Sequence, residues 1–141
     1  MKKIIVPIDF SEHSEYALKT AVRLAKLFDS KILALHMLEI SDVLYTSDDF
    51  EQHQKVIFFL KLAEKKFKKF LKKDYLEGIN ITPIVKHYKV FSEVNEVAKE
   101  YDADMIVMGS HGASGIKEFF VGSNTERVVR NAEIPVLVVK T

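Results

Sequence analysis

The sequence predicts an α/β fold built on a parallel β-sheet. Three observations carry that expectation. Short, mainly apolar runs recur at Ile4–Val6, Lys31–Met37, Met105–Met108 and Val136–Val139, and runs of this kind mark strands buried on both faces. Stretches with apolar residues at helical spacing lie between them. A glycine loop, Gly109-Ser110-His111-Gly112, follows the Met105–Met108 run, and Gly122-Ser123 then opens a further helical pattern from Asn124 to Ala132. Strands alternating with helices imply right-handed crossovers and a sheet covered on both sides.

Each element has its own signal. Ile4–Val6 is β-branched and apolar, and Asp9-Phe10-Ser11 turns the chain. Ser11 suits an N-cap, and Ala17, Leu18, Ala21, Leu24, Ala25 and Phe28 then share one helix face. Lys31–Met37 reads as the second strand. Leu38 to Phe50 is polar and mixed, with Ser47-Asp48-Asp49 placed to cap the next helix. That helix is long and carries the stripe Val56, Phe59, Leu60, Ala63, Phe67, Phe70 and Leu71, and Gly78 is expected to stop it. Ile81–Tyr88 is a weaker strand, which Pro83 assigns to a sheet edge or a strand start. Ser92 is expected to cap a short helix containing Val94, Val97 and Ala98. Met105–Met108 and Val136–Val139 are the last two strands.

The bulk numbers narrow the function. The 141 residues fit one domain over 1–141. Apolar content of 48% and charged content of 29% describe an ordinary globule. A net charge of +1 supplies no global attraction to nucleic acid or membrane. The absence of cysteine removes disulfides, thiol catalysis and cysteine-based metal centres, and it fits a cytoplasmic protein. No apolar stretch approaches the roughly 20 residues of a membrane span. The start resembles a signal peptide, yet its apolar run stops at Pro7 and Asp9 comes soon after.

The glycine loop has two readings. A strand, a glycine loop and a helix N-terminus can present backbone N–H groups to a phosphate. Alternatively, the glycines serve chain reversal alone. There is no G-x-x-x-x-G-K-[ST] and no G-x-G-x-x-G after the first strand. The first strand ends instead in Pro7-Ile8-Asp9. Ligands of open α/β sheets bind at the carboxyl ends of strands where strand order reverses. If strands one and four are neighbours, Asp9 and Gly109 line one crevice. A carboxylate there suits ribose hydroxyls, while its bland reading is a turn residue. Met37 either packs on a base or belongs to the core. Ser123 either caps the helix or donates to phosphate.

These residues carry a family resemblance. The chain resembles the universal stress protein family through KKIIVPIDFSEHSEYALKTAVRLA, ALHM, DADMIVMGSHG and VGSNTERVVRNAEIPVLVVK. The G-x-x-G-x(9)-G-[ST] pattern of that family's nucleotide-binding branch is complete. The resemblance implies a five-stranded parallel sheet in order 3-2-1-4-5, Rossmann-like and similar to the adenine nucleotide alpha hydrolases. It implies ATP with Mg2+ or Mn2+, with Asp9 at the ribose, Ile8 and Met37 at the adenine, and Pro7 among the nucleotide-binding residues. Met108, Gly109, Gly112, Gly122, Ser123 and Asn124 are implied around the phosphates. It further implies a homodimer through Val136–Val139 and a role in stress response or signalling. One departure stands out. Relatives often carry a glycine-proline turn after strand three, whereas this chain has Tyr88-Lys89-Val90-Phe91, bulky residues that would narrow the pocket or alter base preference.

Other groups remain. Lys61, Lys65, Lys66, Lys68, Lys69, Lys72 and Lys73 crowd the long helix opposite its apolar stripe. They form a solvated face, or a patch for an acidic partner. That second option supports an alternative function, an interaction module of the same fold that does not depend on nucleotide. No histidine pair has metal-site spacing. His36 is expected in the core with a hydrogen bond, and His111 at phosphate or in solvent. Arg127 and Arg130 share a helix face. No assigned base or arginine finger accompanies the motif, so at most slow hydrolysis or autophosphorylation is expected.

Overall fold

The computed structural model describes residues 1–39, 50–88, 91–111 and 122–140, the side chains of Glu39 and Phe91 excepted. Five strands form one parallel sheet: β1 (Lys3–Pro7), β2 (Lys31–Glu39), β3 (Ile81–Tyr88), β4 (Met105–Gly109) and β5 (Val136–Val139). Their order is β3-β2-β1-β4-β5. Among the described residues, four α-helices accompany them: α1 (Glu12–Phe28), α2 (Phe50–Phe70), α3 (Val94–Glu100) and α4 (Ser123–Asn131).

The apolar strands are explained by two cores. Alternate residues of a strand face opposite sides. Ile4, Val6, Ile32, Ala34 and Val107 pack with α1 and Phe67 of α2 on one side. Ile5, Leu33, Leu35, Ile106 and Met108 pack with Val94, Val97 and Val128 on the other. Both edges are where the sequence places them: β3, with its exposed Pro83, closes one side, and β5 the other.

Four local expectations need correction. Gly78 does not stop the long helix. α2 ends at Phe70, and a 3-10 turn at Asp74–Leu76 intervenes. That turn drives Leu76 into the core, where it is 5% exposed, and Gly78 then takes the left-handed φ of 80° leading to β3. Ser92 is no N-cap, because it lies in the 3-10 turn Phe91–Glu93 and Glu93 occupies the cap position in helical conformation. Ser123 is no N-cap either. It is the first residue of α4, and Gly122 is the cap. Phe59, assigned to the buried stripe of α2, is 44% exposed, because that stripe reaches the core only from Ala63 onward. Ser11 does cap α1, its hydroxyl accepting the Ser14 N–H at 3.2 Å. The Ser47-Asp48-Asp49 cap lies outside the described residues.

Candidate nucleotide-binding crevice

β1 pairs with β2 on one side and β4 on the other, with Ile4 opposite Met105 and Ile5 opposite Ile106. The chain therefore leaves the two central strands in opposite directions. A cleft opens at their carboxyl ends, the switch point of such sheets. It encloses about 130 Å³ and brings Pro7, Ile8 and Asp9 from the end of β1 against Met108 and Gly109 of β4. Met37 and Leu35 of β2 form the wall on the β2 side, with Tyr88 of β3 beyond them. Asn124 and Thr125 of α4 supply the opposite wall, and Ser14 and His111 complete the lining.

The floor is held by short-range bonds. Ile8 N–H donates to Leu35 C=O at 2.7 Å. The ring of His36 donates from Nδ1 to Ile8 C=O at 2.7 Å, which fixes its tautomer and confirms it as a hydrogen-bonded histidine of the sheet. Phe10 comes next but one, with φ 65°, an uncommon value for a bulky residue. Its ring is held at 4.7 Å from His36, 5.7 Å from Phe67 and 5.4 Å from Phe70. Asp9, the residue before Phe10, lines the crevice. Asp9 Oδ1 accepts Ser11 N–H at 3.0 Å and also the Ser11 hydroxyl. These bonds orient the carboxylate.

The glycine side is built by contacts between β4, β5, α1 and α4. Ser110 N–H donates to Val139 C=O at 3.0 Å, and Gly122 N–H donates to Ser110 C=O at 2.7 Å. Thr125 donates its hydroxyl to Gly109 C=O at 2.8 Å. The start of α4 is thus tied to the end of β4. Its N-cap, buried Gly122, has no side chain to cap the first turn. The positive end of the helix dipole faces the crevice. The His13 and His111 rings lie 5.5 Å apart, and Ser110 Oγ is 3.0 Å from His111 Nδ1. His111 is buried rather than pointing to solvent.

Of the residues expected at a site, Pro7, Ile8, Asp9, Met37, Met108, Gly109 and Asn124 line the crevice. Gly122 and Ser123 are not lining residues of the crevice, although Asn124 and Thr125, which follow them in α4, are. Gly112 lies outside the described residues. Met37 is 7% exposed and belongs to the core, and it also borders the cleft. Ser14, Leu35 and Thr125 escape sequence reasoning. Leu35 carries a signal, its place near a strand end. Tyr88 is marked in the sequence by the departure after strand three, and it does border the mouth. Arg127 and Arg130 are exposed, and Arg130 pairs with Glu126 one turn away.

A larger depression, about 400 Å³, lies between α3 and the stretch that holds Asn131, Glu133 and Ile134. Size alone would favour it. Its walls are helix surfaces of mixed charge, such as Glu96, Lys99 and Glu133, and neither a switch point nor a helix N-terminus of more than two turns converges there. Chemistry favours the smaller crevice. Among the described residues, no group of three or more His, Cys, Asp or Glu could hold a metal ion, and no helix is long and apolar enough to cross a membrane.

Comparison with known proteins agrees with this architecture. The model of the universal stress protein family matches residues 1–140. Universal stress protein MJ0531 of Methanocaldococcus jannaschii is 32% identical over 139 residues, covering 99% of this chain and 82% of its own length. The solved structure of MJ0577 from the same organism superposes with a TM-score of 0.84 at 31% identity, covering 99% and 96% of the two chains. More distant fold neighbours include a universal stress protein in complex with cAMP (22% identity, TM-score 0.64, 99% and 97% coverage) and one from Archaeoglobus fulgidus in complex with dAMP (21%, 0.61, 98% and 97%).

Proposed function

The chain belongs to the universal stress protein family, and from that premise we propose that its crevice binds ATP and that the protein acts as a nucleotide-dependent stress-response or signalling protein. One observation carries the reading: Asp9, at the end of β1, and Asn124 and Thr125, in the first turn of α4, line one cleft. A sugar hydroxyl donates to the oriented carboxylate of Asp9. Met37, Ile8 and Pro7 give the base an apolar seat at the β2 side. Met108, Gly109, Gly112, Gly122, Ser123 and Asn124 surround the phosphates, whose negative charge suits the helix N-terminus. Fold neighbours that hold cAMP and dAMP support an adenine nucleotide at the level of fold.

ATP brings Mg2+ or Mn2+ with it, and such ions take most ligands from phosphate and water, so a dedicated protein cluster is not required. The reading is of a cytoplasmic sensor in one domain. Rapid phosphoryl transfer needs a positioned base and a cation at the transferred group, whereas Arg127 and Arg130 project outward. We also propose a homodimer formed by pairing β5 with its copy.

Isothermal titration with ATP tests the site. Asp9→Ala removes a charged acceptor, so affinity falls about 10–100-fold, the equivalent of ~1.5–3 kcal/mol. Gly122→Val places a branched side chain in the phosphate space and abolishes binding. Unchanged affinity in both variants overturns the proposal. Mass spectrometry of nucleotide released from freshly purified, denatured protein identifies which adenine nucleotide is carried.

A further inference from the structure

The outer face of α2 is divided along its length. From its N-terminus through Leu62 it exposes large apolar side chains, Phe50 at 74%, Ile57 at 43%, Phe58 at 62% and Leu62 at 52%, with Lys55 among them. From Lys61 onward it exposes Lys61, Lys65 and Lys69, which repeat every four residues along one row. Lys72 continues that row past the helix end. The inward stripe of the second half, Ala63 and Phe67, is consumed by the core. Large apolar side chains clustered in water mark an interaction surface.

Beside this face runs a groove of about 270 Å³, lined by Glu64, Phe67 and Lys68 of α2 and by Pro83 and Val85 of β3. β3 is an edge strand, but Pro83 has no N–H to offer an added strand. The groove therefore suits a side chain dropped from a helix.

The charge pattern selects the occupant. A second copy fails, because parallel α2 helices would set lysine against lysine, and antiparallel ones would set each lysine row against phenylalanines. A bilayer fits poorly, since a helix lying in a membrane surface keeps one apolar stripe over its whole length. Here the large exposed apolar residues stop at Leu62 and most of the lysines follow from Lys61 onward, so the two characters shift along the axis and overlap near its middle. We propose that the outer face of α2 is a docking site for an amphipathic helix of a partner protein, apolar at one end and rich in carboxylates at the other. At 1.5 Å per residue, α2 offers such a helix a track of about 30 Å.

Fluorescence anisotropy tests this with synthetic labelled 20-residue helical peptides. Two carry leucines in one half and glutamates in the other, in either order. Controls are a scrambled peptide of the same composition and one with lysine for glutamate. One segregated peptide is expected to bind, more weakly as salt rises. Phe58→Ser/Leu62→Ser and Lys65→Glu/Lys69→Glu are each expected to weaken it at least about tenfold. All four positions are exposed, so circular dichroism and ATP titration should match the parent. Equal binding of the scrambled peptide, insensitivity to both double variants, or no binding at about 1 mM peptide overturns the proposal. Binding to phosphatidylserine vesicles that depends on the same residues, without peptide binding, overturns it in favour of a membrane surface.

Discussion

At Gly109 the missing Cβ serves packing between elements. A methyl group there would lie 2.9 Å from the carbonyl oxygen of His13 and 3.1 Å from its Cβ. The obstacle is mainly backbone of the first turn of α1, which cannot yield as a flexible side-chain tip would. Gly109→Ala should therefore destabilise the fold by about 1–3 kcal/mol, seen as a lower urea midpoint at unchanged slope. From the sequence, glycine here reads as room for a ligand. The sequence marks the position but cannot supply the reason, because the contact joins β4 to a helix far away in the chain. Phe10 gives a second residue-scale prediction. Its left-handed φ of 65° costs a non-glycine residue about 1–2 kcal/mol, a strain outweighed by its ring contacts. Phe10→Ala loses the ring and keeps the strain, while Phe10→Gly loses both. The glycine variant should be the more stable of the two by about 1 kcal/mol, reversing the usual order. Thermal or urea unfolding of the pair decides it.

The seam between β1 and β4 matters most among the elements, since the crevice opens at its far end. At its near end, Asp104 accepts the N–H of Lys2 at 2.7 Å and of Lys3 at 2.9 Å. The bond from Lys3, then that from Lys2, holds the Asp104 carboxyl below its ordinary value. A lowered folded pKa gives stability that is present above the unfolded value, about 3.8, and lost as pH falls through the folded one. Asp104→Asn should thus lower the unfolding midpoint slightly at pH 7, because the site is exposed. Once the pH falls below the lowered folded value, the two proteins should converge. A gap that persists in acid would mean that the carboxylate's charge is not its origin. Strands were the readily legible elements, because burial on both faces leaves a continuous apolar run. Helix ends were not. The caps at Gly122 and Glu93 and the end of α2 at Phe70 depend on which side chain the core draws in, as Leu76 shows.

For the whole molecule, the crevice was legible because a parallel sheet gathers all its strand ends on one side. Placing β1 beside β4 was enough to bring Asp9 to Gly109. Thr125, Ser14 and the facing of His13 with His111 were not legible, since each depends on how a helix seats against a distant strand. The two sheet edges differ in the same way. The β3 edge carries exposed Pro83. The β5 edge is four apolar residues, with Leu137 37% exposed, and a bare apolar edge invites pairing. Within β5 the ladder to β4 uses Pro135 C=O, which accepts from Ile106, and Val139 C=O, which accepts from Ser110. Backbone groups of a strand alternate sides, so Val136 and Val138 direct theirs outward. Val138→Pro deletes one outward donor and leaves the inner ladder intact. If two chains pair through β5, light scattering should report a dimer for the parent and a folded monomer for Val138→Pro. A parent that is monomeric at micromolar concentration, or a proline variant that still dimerises, would exclude β5 as the interface.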